Sequence, residues 1–505
     1  MEGFYRTHLF SGCRKCEKSG GLVYQDEYAS LKLGYWWEWR NESYKLRYQD
    51  FIKNLLASSP ELDDSSVQYP HAIPAPYRCP VKESCKGGLD SPCEDGYEGP
   101  LCAVCSLGYY KQLESCAKCP SKTWIVAQFS IIFVIIILLV AFLMWKRKAT
   151  LSKDRGQYLI DMFLSKLKII IGFYQVTHGL LTVFSYIEWP ESLHVVSTYS
   201  GILQMNLLQI APIHCLSSGL RVNVFGELLL ILTVNVTAIG VTGFGYTVFK
   251  TIIVKNHNLN DKEKSTKISE TKRLFCKNLF FFLYVTYLGT FSKTVSVLPL
   301  ACRKVCRDDE EELCNMYAKA DYSLRCQGAT YDYWLILAYI STAYVVALPV
   351  ASLTVLWRQK RVIVSKIDND GGFGMETIEG LRFLFENYKS EAWYWELVEM
   401  SRKVVLTSGV ILVGQESRSY IGLTWVVAGM FGVLFCWVKP IKDASENLLM
   451  SASLAVTVVN LGIGAVSRIP AENVSNIVDK HKDVIAMKIL ILGANTLVIG
   501  LIIGE

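Results

Sequence analysis

CAVCSLGYYKQLESCAKCPSKTWIVAQFSIIFVIIILLVAFLMW, residues 102–145, decides the fold. Its first part carries Cys102, Cys105, Cys116 and Cys119 at the spacing of a small cross-linked module. Its second part, 124–145, is an uncharged apolar run, and about 20 such residues cross a bilayer. Lys146, Arg147 and Lys148 follow at once. Cationic residues flanking a span favour the cytoplasmic side. The cysteines therefore belong on the outer or lumenal face, and the rest of the chain inherits its orientation from this junction.

The chain has 505 residues, 51% of them apolar. A soluble chain of this length would divide into several domains. Repeated long apolar runs specify a polytopic membrane protein instead, with the lipid bilayer as its first partner. The net charge of +6 is small. It reflects lysines and arginines in connecting loops and excludes nucleic acid as a partner. Sixteen cysteines are many for a reducing compartment, and most fall in clusters at 13–16, 79–119 and 302–326. MEGFYRTHLFSGCRK lacks the apolar stretch of a signal peptide. Either the first span acts as the signal or the chain is a fragment.

The hydropathy pattern predicts nine crossings, at 124–145, 167–187, 225–249, 274–298, 334–357, 404–413, 421–438, 448–466 and 485–503. Residues 191–224 are read as an external helical cap. Were they a crossing, the lysine-rich loop 255–273 and the cysteine loop 302–326 would exchange sides. The fold class is then an all-α polytopic membrane protein with about nine helices and a small disulfide-rich extracellular domain. The N-terminus faces the extracellular or lumenal side and the C-terminus the cytoplasm. The organisation is an N-terminal extracellular region at 1–78, a cysteine-rich module at 79–121 and a multi-span domain at 122–505.

This topology puts fourteen cysteines on the oxidising side as disulfide candidates: Cys13, Cys16, Cys79, Cys85, Cys93, Cys102, Cys105, Cys116, Cys119, Cys215, Cys302, Cys306, Cys314 and Cys326. Cys276 and Cys436 are left over. The two Cys-x-x-Cys pairs also suit zinc, but an oxidising compartment favours disulfides, whose pairing the spacing does not fix. The sequons at Asn41 and Asn473 fall outside and are glycosylation candidates, whereas the one at Asn235 falls within a span.

Polar groups within apolar runs carry the functional reading. The intramembrane candidates are Gln175, His178, Asn235, Asn460 and Asn495. Interhelical hydrogen bonds account for such residues as well as a transport site does. Glu227 and Lys293, near the outer ends of spans, are expected to snorkel. Residues 366–398 read as a cytoplasmic amphipathic stretch with Leu381, Phe383, Leu384, Tyr388, Trp393 and Trp395 on its apolar side, lying at the membrane surface. At the following span entrance Glu396, Glu399, Arg402 and Lys403 have the spacing of helical ion pairs. This segment is either an anchor or a gating linker. Tyr35, Trp36, Trp37 and Trp39 are a core or a stacking surface. Asp368 to Glu379 has the length of a calcium loop, but Phe373 stands where that loop needs glycine. It is a turn, and the sequence calls for no metal or cofactor. No protease, hydrolase, nucleotide-binding or kinase signature occurs, so the chain is not read as an enzyme.

Gly96-Tyr-Glu-Gly-Pro-Leu-Cys102, with Cys105 and Gly108-Tyr-Tyr110 after it, resembles laminin-type EGF and ephrin-receptor-like modules. KIIIGFYQVTHGLLTVFSYIEWPESL, NLLQIAPIHCL and LRFLFENYKSEAWYWELVEMSRKVVL, through WVKPIKDASENLL, resemble the TRP-like multi-span domain of lower eukaryotes. The resemblance implies a cation channel or transport protein with an outer sensing module. A homo-oligomer stands among the candidate partners, and the sequence leaves the subunit number open. Two other readings stand beside it. One is a receptor or adhesion protein whose head binds an extracellular protein or small molecule. The other is a small-molecule or lipid carrier with a midplane site around His178.

Overall fold

A computed structural model of the chain describes residues 4–10, 14–15, 21–25, 28–57, 67–112, 115–131, 134, 154–184, 187, 189–200, 215–216, 223–255, 260–307, 314–361, 363–364, 381–409 and 418–467. The chain divides into two compact units. The first comprises Met1–Lys122, Pro212–Asn223 and Ser296–Leu335. The second comprises Thr123–Ala211, Val224–Val295 and Ile336–Glu505.

The first unit is built of short hairpins fastened by disulfides. Antiparallel pairs join β1 (Phe4–Tyr5) to β2 (Arg14–Lys15), β3 (Leu22–Gln25) to β4 (Tyr28–Leu31) and β5 (Tyr35–Trp36) to β6 (Tyr77–Arg78). Further pairs join β7 (Tyr97–Glu98) to β8 (Val104–Cys105) and β9 (Tyr109–Gln112) to β10 (Ser115–Lys118). The loop that the sequence offered only as a cysteine cluster is a three-stranded sheet, β11 (Cys302–Cys306), β12 (Cys314–Ala318) and β13 (Asp321–Arg325). Strands this short do not hold themselves together. The bridges Cys79–Cys85, Cys93–Cys102, Cys105–Cys116, Cys119–Cys215, Cys302–Cys326 and Cys306–Cys314 do so.

Among the described residues α1 (Glu42–Leu55) is the α-helix that lies wholly within this unit. The Asn41 side chain starts it by accepting from the Tyr44 backbone N–H at 3.0 Å. Glu42 in the first turn and Lys53 in the last suit the helix dipole. Its buried face gives Tyr48, Phe51 and Ile52, which pack with Tyr69 and Trp39. Trp37 is fully buried and its indole donates to the Leu89 carbonyl at 3.1 Å. The aromatic run at 35–39 thus supplies core.

The second unit is helical. Its elements are α2 (Asp154–Val183), α3 (Glu191–Ser200), α4 (Val224–Lys255), α5 (Asp261–Val295), α6 (Ala329–Arg358, from Ile336 onward), α7 (Trp395–Val404), α8 (Arg418–Val438) and α9 (Ala444–Ser467). The nine crossings expected from the sequence become five among the described residues. The helices long and apolar enough to cross a membrane are Val224–Lys255, Asp261–Val295, Ala329–Arg358, Ile421–Val438 and Ala444–Val466. Four contain or match an expected span, and Asp261–Val295 overlaps 274–298 but ends three residues short of it. Val236, Phe244, Val433 and Trp437 on these helices stay exposed, as lipid-facing side chains do.

The other four expectations fare differently. α2 covers 167–183 as a helix, but Lys166, Lys168, Gln175 and His178 dilute its apolar run, and it is not among the five. The 404–413 span is replaced through Gly409 by a π-helical turn, Val405–Gly409. Of 124–145, residues 124–131 and 134 are described, and 122–131 are helical. The 485–503 span lies outside the described residues, as do 366–380, with Asp368 to Glu379.

The amphipathic surface helix expected before residue 395 is also corrected. Residues 381–394 form turns, among them Arg382–Leu384 and Ser390–Ala392. Lys389 N–H donates to the Pro440 carbonyl and Lys442 N–H to the Asn387 carbonyl, each at 2.9 Å. That pairing holds the backbone extended where a helix would need its own bonds. Leu381, Leu384, Phe385 and Trp393 pack against Tyr287, Val345 and Leu356. Tyr388 and Trp395 join Phe435 and Met450. The apolar side of this stretch is therefore core of the second unit.

The module's glycines carry a testable consequence. Gly96 has φ +89°, and a Cβ there would lie 2.6 Å from the Tyr109 ring. Gly108 has φ +86° with nothing within 4 Å. Gly108→Ala is expected to cost about 1–2 kcal/mol of backbone strain, and Gly96→Ala a further 1–3 kcal/mol, roughly, of overpacking. Thermal unfolding of the two variants with disulfides intact measures the difference.

Candidate functional site

α7 carries four charges in two turns, and all four are buried: Glu396, Glu399, Arg402 and Lys403. The i, i+3 and i, i+4 spacing seen in the sequence gives the local pairs. Arg402 donates from Nε to Glu399 Oε2 at 2.8 Å and from Nη2 to Oε1 at 2.6 Å, a two-pronged contact. Lys403 Nζ stands 3.8 Å from the same Glu399 carboxylate.

Glu396 takes two of its three partners from far along the chain. Lys168 Nζ on α2 is 2.5 Å from its Oε2. The Tyr388 hydroxyl donates to the same oxygen at 2.8 Å, and the Tyr284 hydroxyl of α5 donates to Oε1. Lys168 also lies 5.2 Å from the Tyr284 ring centre, and Arg402 lies 5.3 Å from that of Phe431. A second acid closes the cluster: Ser165 of α2 donates to Glu446 Oε2 at 2.7 Å, and Asn387 Nδ2 donates to Ser165 Oγ at 2.6 Å. Asp443 accepts from the Ser445 and Glu446 backbone N–H groups, which starts α9 with Glu446 in its first turn.

Two glycines of α2 let α7 come this close. A Cβ on Gly172 would lie 2.5 Å from Lys403 Nζ, and one on Gly179 would lie 2.6 Å from Thr407 Cγ2. The π-helical turn that carries Thr407 thus rests on the α2 backbone. Such turns recur at functional sites.

α7 is not among the five apolar helices. Burial by itself raises the Glu396 carboxyl, but Lys168 and Lys403, with the Lys168 and Tyr284 hydrogen bonds, hold it below the ordinary range. Burial, then the Glu396 charge, pushes the Tyr388 phenol well up, so it remains a donor.

A cavity of about 30 Å³ opens within the cluster, lined by Ser165, Lys168, Asn387, Arg402 and Glu446 among others. Arg402 Nη1 has no hydrogen-bond partner. A second, small pocket of about 10 Å³ is lined by Thr177, Leu180, Leu181, Trp189, Thr457, Asn460 and Leu461. Neither amide atom of Asn460 has a partner.

The other sequence candidates fall as follows. Gln175 and His178 are buried on α2. Asn235 is buried and donates to Thr290 Oγ1 at 3.0 Å. Glu227 and Lys293 do not snorkel apart; they form an ion pair at 2.5 Å, because α4 and α5 pack together and bring them level. Asn41 is exposed, with its side-chain oxygen capping α1. Cys276 and Cys436 are free thiols. Cys13, Cys16, Asn473 and Asn495 lie outside the described residues. Sequence reasoning missed Ser165, Lys168, Tyr284, Asn387 and Glu446, although two lysines interrupting the apolar pattern at 166 and 168 were a visible signal. Among the described residues no group of three or more His, Cys, Asp or Glu side chains is set to hold a metal ion.

Comparison with known families gives one match. The family described as "Domain of unknown function (DUF7630)" matches residues 77–120, the segment that contains Cys79–Cys85, Cys93–Cys102 and Cys105–Cys116. No curated protein and no solved structure matches the chain.

Gly179→Ala is expected to destabilise the protein by roughly 1–3 kcal/mol, because Thr407 meets the new methyl at its Cβ as well as its Cγ2. Denaturant unfolding in detergent measures this loss. The pH dependence has a definite sign. Glu396 ionises in the folded protein below its ordinary 4.5. Its contribution is therefore complete above that pH and is lost as the pH falls through the lower, folded value. Unfolding followed down to about pH 3 shows a loss in the native chain that Glu396→Gln lacks.

Proposed function

We propose that the chain is an integral membrane transport protein of the channel class, conducting small ions through its helical unit. The cluster around Glu396 and Glu399 carries this reading. Buried ionisable groups in a membrane protein are expensive and mark ion and proton pathways, and here four of them share α7, which is not itself one of the apolar helices, with all side chains buried. Five apolar helices, with large side chains exposed along them, support membrane embedding. The TRP-like sequence resemblance points the same way.

In this reading the disulfide-fastened unit is the outer or lumenal head, since bridges form and persist in oxidising compartments. The five apolar helices are its crossings among the described residues, with the C-terminus in the cytoplasm. Arg402 and Lys403, on the helix that the π-helical turn follows, couple movement of that turn to the cluster. A receptor reading draws on the head alone and leaves the buried charges unexplained.

Purified full-length protein reconstituted in planar bilayers tests the proposal. The expected result is unitary current whose open probability shifts in Glu399→Gln. Silent bilayers from correctly folded protein, with a soluble ligand bound tightly by the head, would contradict it and favour the receptor.

A further inference from the structure

α2 and α9 meet along a seam that is more polar than an interface of two apolar helices requires. α9 presents Glu446, Ser453, Thr457 and Asn460, separated by seven, four and three residues and so on one helical face. α2 presents Ser165 and Thr177. All six side chains are at least nine-tenths buried.

The hydroxyls share one pattern. Ser453 donates to the Met450 carbonyl, Thr457 to the Ser453 carbonyl and Thr177 to the Phe173 carbonyl, at 2.8–3.0 Å. Each hydroxyl hydrogen is used along its own helix, and each oxygen keeps lone pairs for another donor. Ser165, Glu446 and Ser453 line the 30 Å³ cavity, while Thr177, Thr457 and Asn460 line the smaller pocket, which has room for about one water. Asn460 offers an unused donor and an unused acceptor there. Water satisfies both at once. Phe173 lines the first cavity and its carbonyl takes the Thr177 hydroxyl of the second. It packs with Leu449 and Val456, an apolar step along the seam.

We propose that this seam is a proton path. The inference rests on the transport reading and names the cargo. Glu446 accepts a proton at the charged end, with Asp443, Lys166 and Lys168 as its charged neighbours. It releases that proton by way of Ser453, which lines the same cavity, toward the water held by Thr177, Thr457 and Asn460 one turn further along α9, and returns to the carboxylate. The pocket lining, with Trp189 and three leucines beside those three polar groups, has no charge to balance a metal cation. Protons need none, because hydroxyl and water hydrogens rearrange to carry them.

The test uses full-length protein in liposomes loaded with a pH-sensitive dye, with a membrane potential set by potassium and valinomycin. A parallel assay without valinomycin reads potassium flux. Proton flux is expected, and Glu446→Gln and Asn460→Leu should each lower it by about tenfold or more. Phe173→Ala should raise it by about threefold or more, a gain that misfolding does not mimic. The exposed Cys436→Ser serves as the neutral control. Proton flux that ignores Glu446, Asn460 and Phe173 substitutions overturns the path. Potassium flux without proton flux overturns it while leaving the channel reading intact. Absence of both fluxes ends both readings.

Discussion

The Glu396 carboxylate cannot be buried alone. It is 1% exposed, and a buried charge without partners costs several kcal/mol. Its partners are Lys168 on α2, Tyr284 on α5 and Tyr388 in the 381–394 segment. Two stretches distant in sequence, α2 and α5, must therefore arrive together with the adjoining 381–394 segment around α7. Much of the helical unit follows from that requirement. Gly172 and Gly179 clear the surface of α2 for α7 and its π-helical turn. The Lys389–Pro440 and Lys442–Asn387 backbone pairs hold Tyr388 in place. Arg402 and Lys403 then share Glu399, so both cations of α7 are met within two turns.

The two units solve the same problem by different chemistry. The first has small clusters such as Leu101, Val104, Val305, Tyr317 and Tyr322. It has strands of two to five residues, too short to be cooperative by themselves. Cross-links supply what the core lacks. The second has long helices and large apolar clusters, and its specificity comes from buried polar groups that admit one arrangement. Buried ion pairs add little net stability but penalise wrong pairings heavily.

Much of this was legible in the sequence. Five apolar runs became helices because length and hydropathy act locally. The Glu399–Arg402 pair was legible because i, i+3 spacing is local. The partners of Glu396 were not, since Lys168 and Tyr284 lie 228 and 112 residues away and nothing in their own neighbourhood announces the contact. The segment 381–394 misled because its aromatics have helical spacing, whereas its backbone pairs with 440–442. The three-stranded sheet at 302–325 was hidden by its cysteines, which drew attention from the alternation in CRKVC, CNMYA and DYSLR. Glu227 and Lys293 looked like independent surface charges because their pairing depends on the packing of α4 on α5.

The most direct measurement is a double-mutant cycle between Lys168 and Glu396, using Lys168→Met and Glu396→Gln with unfolding free energies in mixed micelles. The account predicts that each single change destabilises by about 3–5 kcal/mol, while the double variant loses much less than their sum, a coupling of about 2 kcal/mol or more. Additive losses, within about 0.5 kcal/mol, would show that these two groups do not meet in the folded protein and would contradict the cluster on which the structure depends.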